Sequence, residues 1–133
     1  MRYLAEVIGL DALIEEAVTI KIEDQIITGF ASICPYPLDV GNFYTVSIEL
    51  WSIEGLSLQE INDSFAMPQL QKIGTSLRYI ITGRLEGRFL NAGVKFEDPF
   101  FEQEYNYLSG HMVRTKVDRI QLEFLPRENS SES

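Results

Sequence analysis

From Leu77 to Leu90 the side chains alternate in a way that few folds accommodate. Leu77, Tyr79, Ile81, Leu85 and Phe89 share one face with Gly83 and Gly87, while Arg78, Thr82, Arg84, Glu86 and Arg88 take the other. A period of two marks a strand with one buried side. Two glycines on the apolar side leave room for a sharp bend or a close backbone approach. The segment therefore reads as a long, coiled strand wrapped around a shared apolar interior.

The same alternation recurs along most of the chain. Tyr3 to Ile8 is a weakly contrasted strand. Val18, Ile20 and Ile22 mark a second, and Ile26 to Ile33 a third, with Gly29 and Ala31 on the face of Ile27 and Ile33. Cys34 to Asn42, with Pro35, Pro37 and Gly41, interrupts any ladder and reads as a loop. Phe43 to Glu54 resumes as a strand with Tyr44, Val46, Ile48 and Leu50 inward, and Trp51 and Ile53 on its polar face call for a cover. Asn91-Ala92-Gly93 supplies hairpin chemistry into Val94 to Glu97. The last strand, Met112 to Leu125, changes apolar phase near Asp118-Arg119, which predicts a bulge there.

One helix is expected, over Leu56 to Phe65. Ser57 and Glu60 have capping-box spacing, and Leu58, Ile61 and Phe65 form a stripe. Asp98 to Gly110 reads as an aromatic, acidic loop. The fold class is thus all-β with one short helix: a small coiled antiparallel barrel of five to seven strands. The order strand-strand-strand-helix-strand-strand resembles an oligonucleotide/oligosaccharide-binding (OB) barrel in architecture. A two-sheet sandwich is the alternative.

With 133 residues, 45% of them hydrophobic, the chain can bury about two-thirds of its unfolded surface without metal or disulfide. One domain is expected over 1–125, followed by a polar tail over 126–133. No apolar run approaches the roughly 20 residues that cross a bilayer. Glu6 interrupts any signal-like core, and the single cysteine, Cys34, cannot form an internal disulfide, so a cytoplasmic location is expected.

Charge is unevenly spread. The net charge is −9, and residues 1–66 hold two bases against eleven acids, so that half carries the whole imbalance. This disfavours nonspecific nucleic-acid binding, which relies on cationic contacts, and suits a basic protein partner.

No catalytic motif is present. The chain reads as a non-enzymatic binding protein with two candidate surfaces: the acidic N-terminal half and the segment holding Phe100, Phe101, Glu102, Glu104, Tyr105 and Tyr107. Aromatics there would anchor a protein partner or a second copy, as in a homodimer, and the acids would select a basic one. An alternative uses Arg78, Arg84, Arg88, Arg114, Lys116 and Arg119 as an OB-like platform for single-stranded nucleic acid. The opposing expectation is that these bases pair across strands with Glu86, Asp118 and Glu123. A further alternative is a small-molecule enzyme using His111, the only histidine, with Glu102 or Glu104 orienting it. Glu97, Asp98, Glu102 and Glu104 lack the ligand alternation of a calcium loop, because Asp98-Pro99-Phe100-Phe101 breaks it. Neither metal nor cofactor is expected.

Overall fold

Strands β1 (Arg2–Leu10), β2 (Ala17–Ile22) and β3 (Gln25–Ile33) form an antiparallel meander in the computed structural model, which describes residues 1–126. After the expected loop comes β4 (Phe43–Trp51), which pairs with β1. The last strand, β11 (Arg119–Phe124), lies parallel to β3 and antiparallel to β4. The hydrogen-bonding path β1-β2-β3-β11-β4 thereby returns to its start. Its inward residues are those that the alternation selects, among them Val7, Ile20, Ile27, Val46, Ile48, Ile120 and Leu122, each no more than 1% exposed. Gly29 is required by the close approach of β11. A Cβ there would sit 2.7 Å from the Ile120 carbonyl oxygen and 2.8 Å from Leu122 Cγ.

The remaining strands arise between β4 and β11 and form a second sheet. They are β5 (Gln59–Glu60), β6 (Gln69–Lys72), β7 (Tyr79–Glu86), β8 (Phe89–Asn91), β9 (Lys95–Glu97) and β10 (Met112–Val117). The order is β5-β10-β7-β8-β9, with β6 also on β7. Buried side chains of both sheets join in one apolar cluster. Two tyrosines tie the sheets: Thr28 N donates to Tyr79 Oη at 2.8 Å, and Lys95 N to Tyr3 Oη at 2.7 Å. The protein is mostly β with one short helix, as expected.

Several local expectations are corrected. The 77–90 segment is not one strand but the β7–β8 hairpin, folded back at Gly87, whose φ of +63° suits glycine. It lies in the second sheet rather than the closed path. Tyr79, Ile81 and Leu85 are buried as read, but Phe89 is opposite Glu86 on the outer face, and Leu90, paired with Leu85, is the buried residue of β8. Leu56 to Phe65 forms no helix. Only Leu58 of its stripe is buried, Phe65 is 88% exposed, and Gln59 and Glu60 instead extend the sheet beside β10. The helix, α1 (Pro99–Tyr105), occupies the expected aromatic loop. Asp98 caps it by accepting from Phe100 N at 3.0 Å, and Pro99 opens it.

The expected bulge at Asp118 is a change of sheet. β10 ends one residue before it and β11 begins one residue after, and the two strands belong to different sheets. Asp118 also ties both ends of the insertion together: its amide donates to Trp51 O at 3.1 Å and Ser52 Oγ at 3.0 Å, and its carboxylate accepts from Ile53 N at 2.9 Å. Trp51 is covered by the Arg119 guanidinium, 4.3 Å from the ring centroid, whereas Ile53 is 80% exposed. Among the described residues no helix is long and apolar enough to cross a membrane. Most of the expected tail, residues 127–133, lies outside the described residues.

Candidate functional site

The β1–β2 connection is held by Asp11. Its Oδ1 accepts from Leu13 N at 2.7 Å and Ile14 N at 2.8 Å, and these bonds, the one to Ile14 foremost, keep the carboxyl below its ordinary pKa. Hydrophobic side chains are left outside by this turn, with Leu13 96% and Ile14 47% exposed. Across from it runs the 34–38 loop. Tyr36 fixes that loop by donating to Leu125 O at 2.6 Å and stacking on Tyr44, with ring centroids 5.5 Å apart. Cys34 donates to Tyr36 O at 3.1 Å, so the lone thiol serves the loop's geometry.

Between these loops lies a cleft of about 590 Å³ whose walls mix Leu10, Tyr36 and Leu38 with Asp11, Glu15 and Glu16. Among the described residues no Lys or Arg lines it. Among the described residues none of the three carboxylates forms an ion pair. A concave surface that mixes apolar and acidic walls and is uncompensated in charge is suited to a cationic, partly aliphatic segment.

The aromatic-acidic segment is mainly structural. Phe101 is 0% exposed and Leu108 5%, so the segment plugs the core beneath α1, and Phe101 is removed from any interface. Phe100 is half-buried, packed edge-on against Tyr105 at 5.9 Å. Glu102 is engaged by Arg88 at 3.3 Å, with Glu97 on the same guanidinium at 3.7 Å. Glu104 is exposed, Tyr105 half-buried, and Tyr107 74% exposed. The four acids that a cation would need are therefore dispersed among a helix cap, an arginine and solvent.

The six basic residues separate. Register pairs Arg84 with Met112, Thr82 with Arg114 and Ile80 with Lys116. Arg84, Arg114 and Lys116 thus share the outer face of β7 and β10, with Arg78 beside Lys116 in an adjoining cleft. Arg88 is on the hairpin turn with its two acids. Arg119 belongs to the other sheet, where it is sandwiched between Phe30 at 4.1 Å and Trp51 at 4.3 Å. The expected cross-strand pairing with Glu86, Asp118 and Glu123 does not occur: among the described residues Arg78, Arg84, Arg114 and Lys116 form no ion pair. Arg84 instead donates to Gly110 O at 2.6 Å, and Arg114 to Thr82 Oγ1 at 3.2 Å.

His111 is not oriented by Glu102 or Glu104. Its Nδ1 is 3.1 Å from Glu60 Oε2, a residue of the segment read as a helix. Both side chains are substantially exposed, and the pair stitches the short β5 to the start of β10.

These features define an all-β domain with an uncompensated acidic cleft on one sheet and an unpaired basic face on the other. A family model described as "Uncharacterised conserved protein UCP019853" matches residues 1–125, and the chain belongs to that family. None of the curated proteins and none of the solved structures matches the chain significantly.

Proposed function

We propose that the closed five-strand path is an OB-like barrel, and that the protein is a non-enzymatic, cytoplasmic binding protein holding a basic segment of a protein partner. The parallel pairing of β3 with β11 and the return of β4 to β1 support the barrel. In OB folds, ligands meet the β2–β3 face and the β1–β2 and β4–β5 loops. Here the β1–β2 loop is the acidic one, and residues 52–118, in the place of the last connection, carry the second sheet.

The observation that carries the reading is the cleft that sets three carboxylates beside Leu10, Tyr36 and Leu38 with no cation among the described residues. Aliphatic groups of the partner bury against Leu10, Tyr36 and Leu38, and Asp11, Glu15 and Glu16 select lysine or arginine beside them. Tyr107 and Glu104 extend the acidic, aromatic surface elsewhere on the domain. The test is fluorescence anisotropy of a labelled peptide alternating lysine and leucine, with a glutamate–leucine peptide as control. Binding weakened by salt and lost in the double variant Glu15→Lys/Glu16→Lys is expected. An equal response to both peptides, or none to either, rejects the reading.

A second reading is favoured by the shared face of Arg84, Arg114 and Lys116: attraction of single-stranded nucleic acid. A titration with labelled single-stranded DNA and RNA at two salt concentrations separates the readings, since phosphate binding falls steeply with salt. The overall charge of −9 and the absence of an exposed aromatic among the three bases count against it.

A further inference from the structure

The cleft and the β7–β10 face have complementary deficits. On one side, Glu15 and Glu16 have no cation among the described residues, and the neighbouring Leu13 and Ile14 project into solvent. On the other, Arg114 and Lys116 have no anion among the described residues and rim a recess of about 510 Å³ that includes Leu58 and Ile80. Each surface offers the charge and the apolar element that the other lacks.

We infer that the basic partner of this acidic surface is a second copy of this chain, whose β7–β10 face docks against the 11–16 loop at the rim of the cleft. The inference rests on the reading of that cleft as a protein-binding site. Leu13 and Ile14 enter the recess over Leu58 and Ile80, while Glu15 and Glu16 meet Arg114 and Lys116. Desolvating paired rather than unpaired charges makes the contact favourable, and like-charged juxtapositions exclude other registers.

Two consequences follow from physics alone. The two surfaces differ, so the contact is heterologous: a pair of copies keeps one free cleft and one free face between them, and assembly continues past two unless it closes into a ring. Copies carrying −9 also repel one another at long range. A Debye length of about 8–10 Å at moderate salt screens that repulsion but not contacts of a few ångströms, so association is strongest there and fades near 1 M.

Sedimentation over a concentration series tests this with three proteins. Wild type is expected to exceed its 15.2 kDa mass as concentration rises at moderate salt, and to return to it in molar salt. The cleft reversal Glu15→Lys/Glu16→Lys and the face reversal Arg114→Glu/Lys116→Glu should each stay monomeric, with circular dichroism confirming that both fold. Mixed together they should associate, because the basic cleft of one then meets the acidic face of the other. A wild type that is monomeric throughout, a reversal that still self-associates, or a mixture that stays monomeric overturns the inference. Should the monomeric wild type still bind the lysine–leucine peptide, the cleft reading stands and only the second copy is rejected.

Discussion

Tyr79 of β7 places its hydroxyl 2.8 Å from the amide of Thr28 in β3, accepting a hydrogen bond that no ladder partner takes. The parallel pairing of β3 with β11 begins only at Phe30, so this edge of β3 is open at Thr28. Tyr79 closes it from the other sheet. One side chain thus joins the five-strand path to the inserted sheet, while its ring fills the core at 3% exposure.

Replacing Tyr79 with Phe keeps the ring and orphans the Thr28 amide. A loss of about 1–2 kcal/mol is expected in urea unfolding at neutral pH. Burial raises the Tyr79 pKa above 10.0, its ordinary value. Below that value the folded and unfolded states are both neutral at this group, and its contribution is fully present. As pH rises through it the unfolded chain ionises first, so stability falls with pH. The alkaline decline should be shallower in Tyr79→Phe, and an identical decline in both proteins would exclude Tyr79 as its source.

Thr115 lies inward on β10 at 2% exposure, and its Oγ1 has no hydrogen-bond partner among the described residues. Thr115→Val keeps the shape and removes the unsatisfied oxygen. Stability should rise by about 1 kcal/mol, read as a higher urea midpoint at unchanged slope.

Glu23, in the turn between β2 and β3, is the one non-glycine with positive φ among the described residues, at +53°. Glu23→Gly relieves the strain of a left-handed Cβ and gives back part of it as unfolded-chain entropy. A net gain of about 0.5–1 kcal/mol is expected. A lower thermal midpoint would show that the Glu23 side chain does something the hairpin needs.

The aromatic segment divides into core and surface, and the two halves should respond differently. Phe101→Ala opens a cavity under α1 and should cost about 3–5 kcal/mol. Tyr107→Ala, at an exposed site, should stay within about 0.5 kcal/mol of wild type. Comparable losses in both would mean that Tyr107 is also structural.

Strand positions were legible where alternation has one buried side: Val18, Ile20 and Ile22, Tyr44, Val46 and Ile48, and Tyr79 and Ile81 all face inward as read. Sheet membership was not. Period two says that a face is buried, not which sheet buries it, so one barrel is read where the 77–90 segment belongs to a second sheet. At Gly87 the alternation changes phase through the turn: Leu85 pairs with the buried Leu90, and Phe89 lies opposite Glu86 on the outer face, so a period of two carried straight through the turn puts Phe89 on the wrong side. The helix was misplaced for a different reason. The Ser57–Glu60 capping pattern was outweighed by pairing at the β10 edge, whereas Asp98-Pro99, a cap residue followed by the residue that best opens a helix, marked the true start and went unused. The acidity of the N-terminal half was visible, but not its convergence on a cleft. Asp11, Glu15 and Glu16 acquire walls only when the 34–38 loop is brought across by Tyr36. Likewise nothing in the spacing linked His111 to Glu60, 51 positions earlier.

The central claim, that the acidic cleft receives a basic segment, is tested most directly by titrating the lysine–leucine peptide into ¹⁵N-labelled protein and mapping the amide shifts. Saturable changes confined to residues 10–16 and 31–38 are expected, disappearing in Glu15→Lys/Glu16→Lys. Shifts centred on α1 or scattered over all exposed acids, with residues 10–16 unmoved, would contradict it.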